Sequence, residues 1–464
     1  MRKLLLLFFG FIALCILSIM VFNASTQISL QARIEKENLG SLSTPKAFQS
    51  LQKALQINTL QSNTEQAIQQ NSQQFRNLLA KEFPKLHALK NFESTTFQKN
   101  NLAYKWQGSQ GNAPYIVLIA PYHVYNFEDK FEKAYIQNDT LLGTGALQSK
   151  TALVALLAAM ENLVEKGVRP KRNILILAPY ENDLLQFGNL RHMIAEMEHF
   201  NLQYAHILYA GSGNFGHNFL GLEQSTALIG ISDKQVLNLT LISEIPANIT
   251  IALNEIKKYN LPLDLNATSN KAFLDYLAPE AGFTKSIYLS NTWIVEFLAK
   301  SLMKEESRLV FANELNISGW KESMRDGKNA ITLNLQLPVH WSKDAFLKLL
   351  EKELFQKLQI SYTVDYFLPA HSPQHIANKS FELLQTTIKQ TFGNYTVLPI
   401  AMDKATGAAY LQYQIKTPVL YYAPYHFHKN NYLQAYHGYE EAISKRDFEN
   451  MIYFYIQYLK NANI

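Results

Sequence analysis

Between Tyr115 and Ser232 the chain alternates strand-length and helix-length apolar runs: YIVLIA, SKTALVALLAAMENLVEKG, NILILA, a helical stretch from about Leu184 to Phe200, then AHILYA and ALIGIS. Short runs without polar alternation suit strands covered on both faces, and strands alternating with helices imply crossover connections and a largely parallel sheet. Near Asp233 the pattern gives way to alternating strands, LNLTLIS, AITLNLQL and ISYTVDYF, separated by helices. It then returns with a helix near 380–391, strands TVLPIA and PVLYYA, and the closing helix RDFENMIYFYIQYLK. A lobe that stops and resumes implies an insertion. The expected fold is α/β, a mostly parallel sheet sandwiched by helices over 44–232 and 368–464, with a smaller α+β domain at 233–367.

Three of the strands end alike. YIVLIAPYH, NILILAPYEN and VLYYAPYHFH each close on Ala-Pro-Tyr, at Pro121, Pro179 and Pro424. Proline lacks the N–H that a ladder needs, so it stops a strand without any function. Ligands of open parallel sheets nevertheless bind beyond the carboxyl ends of the strands, so these endings are also where a site belongs. Tyr122, Tyr125, Tyr180, Tyr209 and Tyr425 would line such a cleft for an apolar or acyl ligand, or pack on one another as filler.

The N-terminus carries LLLLFFGFIALCILSIMVF, Leu4 to Phe22, an uncharged run long enough to cross a bilayer as a helix. Arg2 and Lys3 precede it, which places the N-terminus in the cytoplasm and exports everything after Phe22. The rival reading is a cleaved signal peptide, but Phe22 and Asn23 occupy the places where a small-residue cleavage site belongs, so residues 1–22 are read as an uncleaved single-pass anchor in preference to it, with 23–43, polar and rich in Gln and Asn, as a stalk. The net charge of +5 comes from 43 basic and 38 acidic residues with no dense basic block, which argues against nucleic acid as a partner. Cys15 is the sole cysteine, so neither an intrachain disulfide nor a cysteine zinc site can form.

The order of strands and helices, the segment YLSNTWIVEFLAKSLM (Tyr288 to Met303) and the late YHGYEE (Tyr436 to Glu441) together resemble the dizinc aminoacylase/carboxypeptidase family, within it the carboxypeptidase S and N-acyl-amino-acid synthase/hydrolase branch. The resemblance covers nearly everything after the stalk. It implies a zinc-exopeptidase-like fold with a ferredoxin-like lid, and two zinc ions held by a His in an H-x-D motif, a bridging Asp, a Glu, another Asp and a late His. A second Glu, just before the ligand Glu, serves as general base toward metal-bound water.

Carried over residue by residue, those roles fall on unlike side chains. The first ligand His becomes Pro121 and the Asp of the same motif becomes His123; the bridging Asp falls on Gln148 of GALQSK. The base is kept as Glu181, but the ligand beside it is Asn182, and the remaining Asp falls on Tyr209. Only His437 matches. The family's strand arginine falls on Gln336, and its T-D-S-R-like turn reads TGAA, Thr406 to Ala409. Proline offers no donor atom, carboxamides bind zinc weakly and a phenol ordinarily titrates near 10.

The resulting expectation is a membrane-anchored, exported protein with a peptidase-like fold, no zinc, and Glu181 and His437 as vestiges. Its cleft would bind a peptide, an acyl-amino acid or a protein, and the lid offers a surface for homodimers. The alternative is an active amidohydrolase with a rebuilt site around one zinc ion, drawing on His123, His426, His428, Glu181, Asp183 and His437.

Overall fold

The structure, a computed structural model, describes residues 2–38, 40–42, 46–60, 63–97, 100–124, 130–180, 190, 192–195, 203–259, 261–293, 310–311, 314–370, 378–408, 411, 418–427 and 441–463. The chain begins with α1 (Arg2–Ser25), α2 (Ala47–Leu55), α3 (Glu65–Glu82) and the short α4 (Pro84–His87). Next come β1 (Phe92–Phe97), β2 (Asn101–Trp106), β3 (Tyr115–Ile119), the small hairpin β4 (Tyr135–Gln137) and β5 (Thr140–Leu142), and α5 (Ser149–Glu165). Strands β6 (Ile174–Ala178), β7 (Tyr204–Tyr209), β8 (Gly213–Phe215) and β9 (Thr226–Ser232) lead to the inserted sheet.

That second part contains β10 (Gln235–Ser243), α6 (Pro246–Lys257), α7 (Thr268–Leu277), α8 (Phe283–Leu289), β11 (Asn316–Arg325), β12 (Lys328–Leu337), α9 (Lys343–Leu350) and β13 (Ser361–Leu368). The chain returns through α10 (Lys379–Phe392), β14 (Thr396–Ala401), β15 (Val419–Tyr421), β16 (His426–Phe427), β17 (Ala442–Ser444) and α11 (Lys445–Ala462).

The large sheet runs β1-β2-β6-β3-β7-β15-β9-β8-β16, with β14 also on β9. Its centre, β6-β3-β7-β15, is parallel as the apolar runs imply. The sheet as a whole is mixed rather than mostly parallel, because β2 is antiparallel to β6 and both β15 and β8 are antiparallel to β9. The β1–β2 connection spans only residues 98–100, too short for the crossover that a parallel pair requires. Helix α5 is buried from Lys150 through Leu163, packed against α2 and α11; an all-round apolar helix belongs in such a layer.

The smaller sheet, β11-β12-β10-β13, is antiparallel throughout and crossed by α6 and α9, a ferredoxin-like arrangement. Leu237, Leu239 and Leu241 of β10 and Ile331, Leu333 and Leu335 of β12 point to one face, where they meet Ile249, Ile256, Phe346 and Leu350. The two-residue period read from LNLTLIS and AITLNLQL is this face. The opposite face is polar: Asn334 Nδ2 donates to Asn238 Oδ1 at 2.8 Å, and the Thr240 and Thr332 hydroxyls are 2.7 Å apart. Within 233–367, α7 packs on β14 instead, burying Phe273, Leu274 and Leu277 in the large core.

Residues 26–38 and 40–42, expected as part of a stalk, lie along the large domain as a strap. Gln31 Nε2 donates to the Val397 carbonyl (2.8 Å) while its Oε1 accepts from Val397 N–H (2.9 Å). Glu37 is tied twice to Gln390, through Glu37 N–H to the Gln390 carbonyl (2.8 Å) and from Gln390 Nε2 to Glu37 Oε1. Among the described residues β14 pairs with β9 alone, so its outer backbone groups need donors and acceptors, and a carboxamide supplies both.

Candidate binding cleft at the strand tips

The central strands end level with one another. Ile119 of β3 pairs with Leu177 of β6 and Tyr209 of β7, and Tyr209 pairs with Tyr421 of β15. Backbone bonds continue one residue further, from Ala120 N–H to the Leu177 carbonyl (2.9 Å), Ala210 to Ile119 (2.8 Å) and Tyr422 to Tyr209 (2.9 Å). Pro121 and Pro179 follow where the ladder ends, as their missing N–H dictates.

The tyrosines after those prolines turn inward. Tyr122 is fully buried, stacked on Phe75 of α3 with ring centroids 5.0 Å apart and planes 10° from parallel, and Tyr180 meets it edge-on at 5.4 Å. The Tyr122 hydroxyl donates to the Asn100 carbonyl and shares a 2.6 Å bond with the Ser72 hydroxyl, while the Tyr180 hydroxyl donates to the Leu60 carbonyl. Burial pushes both phenols well above the ordinary range. His123 is half-buried, its ring 6.2 Å from that of Tyr180, and burial lowers its pKa to about 4, which leaves the imidazole neutral at pH 7.

Below this cluster the turn GTGALQSK enters α5. Gly143 and Gly145 hold φ of +145° and +94°, and a Cβ on Gly145 would stand 2.6 Å from Val124 Cγ1, so only glycine fits this turn. The turn presents Gln148, whose Nε2 donates to Glu441 Oε1; Glu441 Oε2 accepts from Leu147 N–H at 2.9 Å. Both side chains are buried. Lys150, also fully buried, donates to the Ile57 carbonyl (2.8 Å) and Thr59 Oγ1 (3.0 Å), and burial lowers its pKa to about 7. The Thr59 hydroxyl in turn donates to the Tyr122 carbonyl at 3.0 Å, joining Lys150 to the strand tip.

A second buried polar group lies where β9 passes into β10. Asp233 accepts from Thr406 N–H (3.0 Å), Thr406 Oγ1 (2.7 Å), the Tyr421 hydroxyl (3.0 Å) and Lys234 N–H (2.9 Å). Burial raises its pKa to about 7 against the pull of those donors. Lys234 donates to the Glu314 carbonyl, and burial lowers its pKa to about 8. Gln336 of β12 accepts from Ala405 N–H at 2.9 Å, so the turn at 405–406 is bonded to both sheets. Asp233, Glu441 and Lys150 were not singled out from the sequence; a buried carboxylate in a loop looks like any solvated one until the fold closes over it.

Of the residues singled out, Pro121, Tyr122, His123, Gln148, Tyr180 and Tyr209 gather around the tips of β3, β6 and β7, and the Tyr209 ring packs on Tyr421 at 5.6 Å. Tyr425 is buried past β15, its carbonyl accepting from Asn214 N–H at 2.7 Å. His426 of β16 pairs with Asn214 of β8. Glu181, Asn182, Asp183, His428, His437, Tyr125 and Ala409 lie outside the described residues. Among the described residues no group of three or more His, Cys, Asp or Glu is placed to hold a metal ion.

Residues 124–461 match the family described as Peptidase family M20/M25/M40. Curated relatives include the N-fatty-acyl-amino acid synthase/hydrolase PM20D1 of Mus musculus, 20% identical over 96% of this chain and 95% of that protein. The probable carboxypeptidase S-like 2 of Dictyostelium discoideum is 22% identical over 96% of this chain and 92% of that one. Among solved structures, the M20 family metallo-carboxypeptidase Sso-CP2 from Sulfolobus solfataricus superposes with a TM-score of 0.60 at 15% identity, over 90% of this chain and 99% of that chain. The di-peptidase Dug1p from Saccharomyces cerevisiae gives 0.60 at 12% identity, over 96% and 98%. At these identities the structural likeness speaks for the fold. With nearly three quarters of its length matched, the chain belongs to peptidase family M20/M25/M40.

Proposed function

We propose that this is a membrane-anchored M20-family protein whose cleft no longer performs dizinc hydrolysis and acts by binding, with an acyl-amino acid, a peptide or a protein as ligand. The observation that carries the reading is the buried bond between Gln148 and Glu441. At the position where the resemblance expects a carboxylate shared by two zinc ions, a carboxamide stands with its amide nitrogen engaged. Nearby, Pro121 has no side-chain donor atom, and Tyr209 brings a phenol packed on Tyr421. These groups do not fit a dizinc centre, which needs imidazole and carboxylate oxygen ligands around both ions.

The ligand class rests on the relatives' description as N-fatty-acyl-amino acid synthase/hydrolases. The anchor rests on Lys3–Ser25, an almost wholly exposed helix of mean hydropathy 3.0, with the N-terminal Arg2 and Lys3 favouring a cytoplasmic start and an exported body.

The test is metal content of the full chain purified without chelators, paired with hydrolysis of N-acyl amino acids by the parent and Glu181→Gln. The expected result is zinc far below one equivalent and no turnover that depends on Glu181. Near-stoichiometric zinc, together with turnover abolished by Glu181→Gln, would reverse the conclusion.

A further inference from the structure

The end of α1 is fastened to the folded body. Met20 and Ala24 are buried, although nearly all of the helix before them is exposed, and α1 packs against α8. Asn23 Nδ2 donates to Asn291 Oδ1 at 2.8 Å, and Asn291 Nδ2 reaches the Met20 carbonyl at 3.2 Å. Just past the helix, Ser29 Oγ donates to Glu280 Oε1, and the strap then bonds β14 through Gln31 and α10 through Glu37. Attachments at residues 23, 29, 31 and 37 leave no slack between the helix and the body.

Around these attachments the surface carries large apolar and aromatic side chains facing outward: Ile28 (79% exposed), Phe283 (59%), Tyr288 (50%) and Trp293 (54%). Each is close in sequence to an anchoring residue. Ile28 precedes Ser29, Phe283 follows Glu280 on the next turn, and Tyr288 and Trp293 flank Asn291. Tyrosine and tryptophan favour the headgroup level of a bilayer, where the ring is half apolar and its polar edge stays wet. Several large apolar side chains exposed in one region of a surface normally mark an interaction site. What covers these follows from their place, because the helix that is apolar enough to span a bilayer is fastened to the segments that carry them.

We propose that Ile28, Phe283, Tyr288 and Trp293 form a membrane-seating face, lying in the headgroup region of the bilayer that α1 crosses, so that the body rides on the membrane in one orientation. This rests on the anchor reading given above. The face also explains a strap that holds rather than tethers: a flexible stalk would let the body drift from the surface, whereas the Asn23–Asn291 and Ser29–Glu280 bonds keep the segments carrying Phe283 and Trp293 beside the helix end.

The sole native cysteine makes the test direct. The full chain carrying Cys15→Ser and Phe283→Cys, and separately Trp293→Cys, is labelled with a polarity-sensitive dye and reconstituted into phosphatidylcholine vesicles; Lys321→Cys on exposed β11 is the control. Lipids bearing a quencher at the headgroup are expected to quench the dye at 283 and 293 at least twofold more than at 321, with a blue-shifted emission. Equal, water-like emission at all three positions in a chain that resists alkaline carbonate extraction would overturn the seating while leaving the anchor in place. Release of the chain by carbonate would overturn the anchor and the seating together. A blue shift without lipid quenching, accompanied by a disulfide dimer when the unlabelled Phe283→Cys chain is oxidised in air, would assign the face to a second copy and overturn the proposal.

Discussion

Gln148 and Glu441 stand 293 positions apart in the chain and meet in its interior, carboxamide nitrogen to carboxylate oxygen. The other carboxylate oxygen of Glu441 accepts from Leu147 N–H, and its backbone carbonyl accepts from Gly143 N–H at 3.0 Å. The pair therefore closes the glycine turn before α5 onto the segment leading to β17. The position is occupied by a structural bond with defined donor and acceptor roles, and a side chain that reverses those roles would disturb the turn.

Gln148→Asp makes this measurable. It removes the donor and sets a second carboxylate beside a buried one, so one of the two must take up a proton. The expected loss is about 3 kcal/mol at pH 8, the size seen when a buried polar pair is broken, with partial recovery at pH 5 where that proton comes easily. Thermal melts of parent and variant at both pH values read the difference. Identical melts at pH 8 would mean that position 148 tolerates charge.

Tyr122 separates packing from hydrogen bonding at the strand tip. Removing its hydroxyl in Tyr122→Phe forfeits the bonds to Asn100 and Ser72 and is expected to cost about 1 kcal/mol. Tyr122→Ala also empties the space against Phe75 and Tyr180, for about 4 kcal/mol. Denaturant midpoints give both values. Equal costs would show that the ring is not packed as described.

Lys150 gives stability a pH dependence. Its folded pKa of about 7 lies below the ordinary 10.5, so between those values the unfolded chain binds more protons. Stability therefore rises with pH across that window and is lost as pH falls toward 7, by an amount on the order of a few kcal/mol. Lys150→Met removes the largest part of this slope, leaving the smaller ones from Lys234, between about 8 and 10.5, and from Lys389, whose pKa burial also lowers. It also leaves the Ile57 carbonyl without its donor, a cost of about 1–2 kcal/mol at every pH. Denaturation of parent and variant at pH 7 and 9.5 reads the slope; parallel slopes in the two proteins would exclude Lys150 as its source.

What the sequence made legible follows from what leaves a local trace. The alternation of Leu237, Leu239 and Leu241 is a property of neighbouring residues, and so is the unbroken apolar run of β6; both survive into the fold. The pairing of β8 with β9, or of Gln148 with Glu441, is decided by distant segments and has no local period. The strap misled for a chemical reason: Gln31 and Glu37 look solvated in sequence, yet the Gln31 carboxamide satisfies Val397 at the edge of β14 as well as water does, and Glu37 finds Gln390 of α10. At the cleft, proline as a strand stop is written in its missing N–H, whereas the inward turn of Tyr122 and Tyr180 required α3 to be in place. For Glu181, Asn182 and His437 the reading rests on the sequence.

Thr406 tests the second buried carboxylate. Its hydroxyl donates to Asp233 Oδ2 at 2.7 Å, and Thr406→Val keeps the shape while deleting that donor, along with the acceptor of Ala408 N–H (3.2 Å), whose loss is the same at both pH values. Asp233 titrates near 7 in the folded chain against an ordinary 3.8, so the stability it contributes is fully present below 3.8 and is lost as pH rises through 7. At pH 5 the folded carboxyl is mostly protonated and the deleted bond is a neutral one, worth about 1 kcal/mol; at pH 8 it is charge-assisted and worth about 2 kcal/mol. Thr406→Val should therefore destabilise the chain more at pH 8 than at pH 5, and it should raise the Asp233 pKa further. Because Thr406 N–H and the Tyr421 hydroxyl remain on the carboxylate, the turn at 405–406 stays attached and the fold persists. Urea midpoints at the two pH values decide it, and an equal loss at both would place the Asp233 titration outside this window.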